Sequence, residues 1–223
     1  MSKLPLERIT IEPKHSVKAC VIWLHGLGDS GAGFAPVVPL LGMDESLAVR
    51  FIFPHAPSIA VTINQGFATP AWYDIKGMDI DNRADMPGVI NSECAIAALI
   101  DEQIAAGIPA DKIVLAGFSQ GGVMSLFTGL RYPKTLAGIM ALSCYLPTGN
   151  KLPSSLSEAN SNTPLLQLHG EQDEVVPVGA GLSAYELVKQ AGYPTQWQTY
   201  IMGHSVLPEQ LKDIGIWLTQ RLR

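Results

Sequence analysis

The sequence predicts an α/β fold, a mostly parallel central sheet with helices on both faces, and three observations carry that expectation. Short apolar runs rich in β-branched residues alternate along the chain with amphipathic segments. Several of these runs are apolar throughout rather than at every second position, the pattern of strands covered on both faces. Hydrophobic residues make up 47% of the 223 residues and charged residues only 16%, enough apolar content to fill one such domain over residues 1–223.

The elements follow in order. Residues 8–12 are read as an edge strand. Residues 17–24 (VKACVIWL), 50–53, 113–118 (IVLAGF), 138–143 (GIMALS), 165–168 (LLQL) and 195–201 (TQWQTYI) are read as strands of the main sheet. Over 92–106, Ile96, Leu99, Ile100 and Ile104 recur three or four apart and form one buried helical stripe. Asn91 or Ser92 can cap its start, and Gly107 with Pro109 ends it. The segment after Ser119 is helical until Tyr132-Pro133 stops it, and 179–190 and 207–222 complete the helices. Two stretches break the rhythm. Residues 54–88 hold few periodic signals but carry Phe67, Trp72, Tyr73, Met78 and Met86, and a loop of that length and content is read as functional. Residues 146–164 are polar and are read as a solvated connection.

Composition excludes several function classes. Fifteen basic against twenty acidic residues give a net charge of −5, without the basic surface that nucleic acid requires. There is no run of basic residues to anchor a membrane surface, no stretch of about 20 apolar residues to span one, and no secretory h-region in the first eight residues. Cys20, Cys94 and Cys144 are odd in number and set among apolar residues, so all three are read as buried, reduced thiols in a cytoplasmic protein. No metal-ligand spacing and no phosphate-binding glycine pattern is present, so neither metal nor cofactor is expected.

The sharpest signal is Gly117-Phe118-Ser119-Gln120-Gly121, directly after one predicted strand and at the start of a helix. A Gly-x-Ser-x-Gly turn at that place reverses the chain and exposes the serine hydroxyl at the sheet's end, with glycines where strand and helix would otherwise collide. A chain of this length gives about 0.1 chance matches to the bare pattern, so the flanking strand and helix decide the reading. Such a hydroxyl needs a base. In this arrangement the chain order is serine, then acid, then histidine. His15, His25 and His55 precede Ser119, and His169 precedes the acid candidates, which leaves His204 in the loop Met202-Gly203-His204-Ser205. The acid is Asp173, in the loop after residues 165–168, with Glu171 and Glu174 as neighbouring competitors; Asp213 follows His204 and falls in a helix. Backbone N–H groups would stabilise the oxyanion, one from Gln120 and one from the turn His25-Gly26-Leu27-Gly28 around Leu27. His25 itself is read as a structural hydrogen-bonding residue.

Taken together, HGLGDSG, WYDI, GFSQGG, HGEQDEVVP and MGHS stand in an order that closely resembles the acyl-protein thioesterase/lysophospholipase family of small carboxylesterases, over nearly the whole chain. The resemblance implies an α/β-hydrolase fold without a large lid domain. It implies catalytic roles for Ser119, Asp173 and His204 and oxyanion roles for Leu27 and Gln120. Implied substrates are carboxylic esters, thioesters of fatty-acylated proteins or lysophospholipids. By the same analogy the loop bearing Trp72 lines an acyl groove and touches membrane weakly, Val176 contacts substrate, and the protein pairs as a homodimer. The alternative from a different class is a catalytically silent binding protein on the same fold, which requires a broken triad or a blocked pocket, and the sequence shows no broken triad member.

Overall fold

The computed structural model describes residues 6–149 and 151–223. Its main sheet has seven strands: β1 (Arg8–Ile11), β2 (Ala19–Leu24), β3 (Val49–Pro54), β6 (Ile113–Phe118), β7 (Gly138–Leu142), β8 (Leu165–Gly170) and β9 (Thr195–Tyr200). A separate hairpin is formed by β4 (Ser58–Ala60) and β5 (Ala68–Pro70). The helices are a short α1 (Gly31–Phe34), α2 (Met86–Ala105), α3 (Gln120–Arg131), α4 (Val178–Gln190) and α5 (Pro208–Leu222). In space the strands run β1-β3-β2-β6-β7-β8-β9, with β1 antiparallel to β3 and every other pairing parallel.

The continuous apolar runs do what two-sided burial requires. Cys20, Ile22 and Leu24 of β2 face the layer that contains α2, α3 and α4, while Ala19, Val21 and Trp23 face the layer closed by α1 and α5. Strand β6 alternates in the same way, Ile113 and Leu115 on one side and Val114 and Ala116 on the other. From β2 the chain goes first to β3 on one side and later to β6 on the other. The C-terminal ends of β2 and β6, paired with Leu24 opposite Gly117, therefore form the switch point where ligands bind in open parallel sheets.

Three expectations need correction. The helix expected to begin near Ser92 begins at Met86, because Asp85 caps it by accepting from the Gly88 N–H and Pro87 suits the first turn, where its missing N–H costs nothing. Ser92 is inside that helix and donates its hydroxyl to the Trp72 carbonyl. Cys94 is exposed on the outer face of α2, whereas Cys20 and Cys144 are buried. Burial pushes the Cys20 thiol up to about 12 and raises that of Cys144 as well. The connection over residues 146–164 is also anchored rather than merely solvated. Asn160 is fully buried; its Oδ1 accepts from the Leu136 N–H at 3.0 Å, and its Nδ2 donates to the carbonyls of Tyr132 and Lys134 at 2.7 and 3.0 Å. One amide thus closes three backbone groups that connect α3 to β7. Replacing it leaves them unpaired away from water, so Asn160→Ala is expected to lower unfolding stability by about 2–3 kcal/mol. A urea titration in which the variant matched the parent would show that solvent replaces the amide there.

Candidate active site

Ser119 lies between β6 and α3 with φ +54° and ψ −119°, a region that residues with a Cβ rarely occupy. Its N–H donates to the Leu142 carbonyl at 2.8 Å, and the Val123 N–H donates to its own carbonyl at 3.0 Å, so the turn is fixed from both sides. The glycines two residues before and after are required by contact. A Cβ on Gly117 would stand 2.1 Å from the Gly121 carbonyl oxygen, and one on Gly121 would stand 2.2 Å from that of Leu24.

The turn delivers the serine hydroxyl to His204, whose Nε2 is 2.9 Å from Ser119 Oγ. On the other side of the ring, His204 Nδ1 is 2.7 Å from Asp173 Oδ2. A carboxylate can only accept here, so Nδ1 carries the proton and Nε2 is left as the acceptor for the serine O–H. Asp173, in the turn after β8, has a fully buried side chain, and its Oδ1 accepts from the N–H groups of Val175 and Val176 at 2.9 and 2.8 Å. The Phe118 ring packs against the imidazole at 4.7 Å between centroids. Of the competing acids, Glu171 accepts from the Thr199 hydroxyl, Asp213 accepts from Tyr200 and Gln198, and Glu174 makes no bond to His204.

The two N–H groups proposed for the oxyanion stand at adjacent strand ends. Leu27 follows β2, Gln120 opens α3, and neither N–H donates to a backbone carbonyl among the described residues. The first residue of a helix has no partner inside it, so the Gln120 N–H is free by construction. His25 stays structural: Nδ1 donates to the Gly26 carbonyl and Nε2 accepts from the Ala56 N–H, with burial lowering its pKa and holding the ring neutral. A cavity of about 400 Å³ opens onto Ser119, Leu27, Gln120 and His204. Val176 is part of its wall, as are Tyr73 of the WYDI motif and Arg83 and Tyr145, which the motifs do not include.

Trp72 is not part of that wall. It is 2% exposed; its indole N–H donates to the His25 carbonyl at 2.9 Å and its backbone N–H to Gln120 Oε1 at 2.8 Å. The residue expected to line an acyl groove instead braces the turn after β2, because a buried indole N–H needs a carbonyl and His25 supplies one. Its neighbour Tyr73 faces the cavity.

The family model described as Phospholipase/Carboxylesterase matches residues 7–221. The chain belongs to this family. It is 43% identical over 213 residues to acyl-protein thioesterase 1 of Neurospora crassa, covering 92% of this chain and 87% of that one. Among solved structures, SOBER1 of Arabidopsis thaliana superposes with a TM-score of 0.87 at 33% identity, covering 93% of this chain and all of that one. Acyl-protein thioesterase 2 of Zea mays gives 0.79 at 27% identity, covering 97% and 99%. The phospholipase/carboxylesterase fold is thus the α/β-hydrolase architecture that the motifs implied, and the chain is a hydrolase of the carboxylesterase and acyl-protein thioesterase type.

The Gln120 side chain adds a contact that motif reading missed. Besides accepting from Trp72, it donates Nε2 to the Tyr73 carbonyl at 2.8 Å, tying residues 72–73 to the start of α3. Gln120→Leu keeps the bulk and orphans both buried backbone groups. It should cost about 2–4 kcal/mol of stability and lower kcat by disturbing the N–H beside Ser119. Unchanged urea midpoint and kcat together would show that the strap is dispensable.

Proposed function

We propose that this protein hydrolyses carboxylic esters and thioesters through an acyl-enzyme on Ser119. The single observation that supports this most is the unbroken relay Asp173–His204–Ser119, with contacts of 2.7 and 2.9 Å on opposite ring nitrogens of one histidine. Ser119 Oγ attacks the carbonyl carbon as its proton passes to His204 Nε2, and Asp173 stabilises the imidazolium so formed. The N–H groups of Leu27 and Gln120 donate to the oxyanion. Collapse expels the alcohol or thiol, which takes the proton from His204. Water then attacks the acyl-enzyme by the same route in reverse, releasing the acid and restoring the serine.

The acyl part is assigned to the apolar wall of the cavity, where Ile63, Ile75, Met78 and Val175 stand with Val176. Ile63, Met78 and Val175 remain substantially exposed at its mouth, so a chain entering there removes apolar surface from water on both sides. That supports fatty-acyl substrates, with acylated proteins and lysophospholipids as the candidate classes. Esters and thioesters pass through the same acyl-enzyme, and nothing in the relay chooses between them.

Two measurements test the proposal. Ser119→Ala should lower kcat on p-nitrophenyl octanoate by about 10⁴–10⁶, and only the parent should be labelled by a fluorophosphonate. Substantial turnover by the variant would remove Ser119 from the chemistry, while an unlabelled, inactive parent would favour a silent binding protein. In a series of p-nitrophenyl esters from two to sixteen carbons, each methylene held in the wall should contribute up to about 0.8 kcal/mol, or nearly fourfold in kcat/KM. A maximum at two to four carbons would confine the enzyme to small esters.

A further inference from the structure

One cation in the cavity wall has no role in the relay and no ion-pair partner among the described residues. Arg83 is 7% exposed, yet its Nε has no hydrogen-bond partner among the described residues. The arginines that form ion pairs among those residues are Arg8, Arg50 and Arg131, each with a glutamate; Arg83 has none. A guanidinium taken from water without a carboxylate is among the costlier things a folded chain can hold. Its backbone is also held in place: the Lys76 N–H donates to the Arg83 carbonyl at 2.8 Å, next to the bridge between Ile75 and Ala84.

The surroundings complete a receptor for an anion. The guanidinium carbon stands 4.2 Å from the centre of the Tyr145 ring, so one face of the group rests on an aromatic plane while its edge is left for a ligand. The hydroxyls of Tyr145 and Tyr73 are 2.9 Å apart. The pair holds two protons and uses one between its members, leaving one phenolic O–H to donate. Burial raises the Tyr73 hydroxyl well above its ordinary range, so that proton stays in place. Arg83, Tyr73 and Tyr145 all line the cavity that contains Ser119. The carboxylates in the same wall, Asp29 and Glu174, repel an anion from their own positions and leave Arg83 as its place.

We propose that Arg83, stacked on Tyr145 beside the Tyr73 hydroxyl, is an anion-binding subsite of this cavity, and that preferred substrates carry a carboxylate or phosphate besides the scissile carbonyl. The subsite rests on the ester and thioester hydrolysis proposed above and adds the substrate's charge to it. The anion can belong to the acyl chain or to the leaving group, and two matched pairs of substrates separate these sources. The first pair is p-nitrophenyl octanoate against the mono-p-nitrophenyl ester of suberic acid. The second is 1-octanoylglycerol against its 3-phosphate.

The quantity read is the ratio of kcat/KM for the anionic member to that for the neutral member, taken within each protein so that loss of active enzyme cancels. For at least one pair, Arg83→Gln should lower this ratio about 10–100-fold, and Arg83→Lys should recover part of it. The responding pair shows which end of the substrate bears the charge. Ratios unchanged in Arg83→Gln for both pairs overturn the subsite while leaving the hydrolase reading intact. A parent that turns over none of the four overturns both. Should Arg83→Gln fail to fold, octyl phosphate and 1-octanol are compared as inhibitors of neutral-ester hydrolysis by the parent. Tenfold tighter inhibition by the phosphate supports the subsite, and equal or weaker inhibition overturns it.

Discussion

The turn at Ser119 is the constraint on which the rest of the site depends. A serine at φ +54° costs of order 1–3 kcal/mol, and the surrounding structure holds it there by contact rather than by local preference. Helix α3 approaches β6 at Gly117 and the end of β2 at Gly121 so closely that neither position leaves room for a Cβ, and all residues from Gln120 to Leu130 are buried. That close approach has two results. It lifts the hydroxyl out of the sheet toward His204, and it points the first free N–H of α3 at the atoms that would react. The same pressure is visible one strand over. Ser143, after β7, also has positive φ, and its N–H donates to the Leu168 carbonyl of β8. The ends of three adjacent parallel strands are thus tied together around the serine.

The second element of the site is a buried carboxylate, and its surroundings are built to keep it in one place. Asp173 takes two backbone N–H bonds on one oxygen and His204 on the other. A second histidine, His169, lies 3.5 Å from the same Oδ2 but donates its Nε2–H to the Val176 carbonyl at 2.8 Å. Burial lowers the His169 pKa, so it adds no second positive charge to compete with His204 for the carboxylate. Helix α4 packs on it so tightly that a Cβ on Gly181 would stand 2.3 Å from its Nδ1. Two neutral histidines, His25 and His169, therefore stiffen the loops that carry Leu27 and Asp173, while His204 presents Nε2 to Ser119.

What was legible in the sequence was what repeats a simple rule. Several strands showed as unbroken apolar runs because a parallel sheet covered on both faces asks for nothing else, and six of the main strands lie where strands were expected, although β9 at the sheet edge (TQWQTY) alternates between covered and exposed positions. The places of Ser119, Asp173 and His204 were legible because a strand-to-helix turn and chain order restrict them strongly. Where several weak signals competed, the reading failed. Pro87 and Gly88 look like loop residues until Asp85 is recognised as a cap, and so the start of α2, residues 86–91, was missed. The hairpin β4–β5 is three residues a side, too short to show a period. Trp72 and Asn160 were misread for the same reason: the partners that bury them, His25 and Leu136, are 47 and 24 residues away.

The relay and most of the wall proposed to select the substrate belong to different parts of this chain, and that separation explains why one was readable and the other was not. The relay comes from turns that directly follow β6 and β8 and from the loop after β9, where the sheet dictates position. Beyond the strand-end residues, the cavity wall comes from residues between 63 and 83 and from Tyr145 and Val175, outside the main sheet and held by side-chain contacts such as Tyr73 to Tyr145. No periodicity marks such residues, and an arginine in a loop reads as a solvated charge until its burial is known. Yet this is the region proposed to face the acyl group and the leaving group. Substitutions at Arg83, Ile63 or Met78 would alter the wall without touching the relay, because these residues share no hydrogen bond with Ser119, His204 or Asp173 among the described residues, whereas the Val175 N–H donates to Asp173 Oδ1. A buried guanidinium with no ion pair among the described residues is costly to keep, and the proposed substrate anion would offset that cost when the cavity is filled.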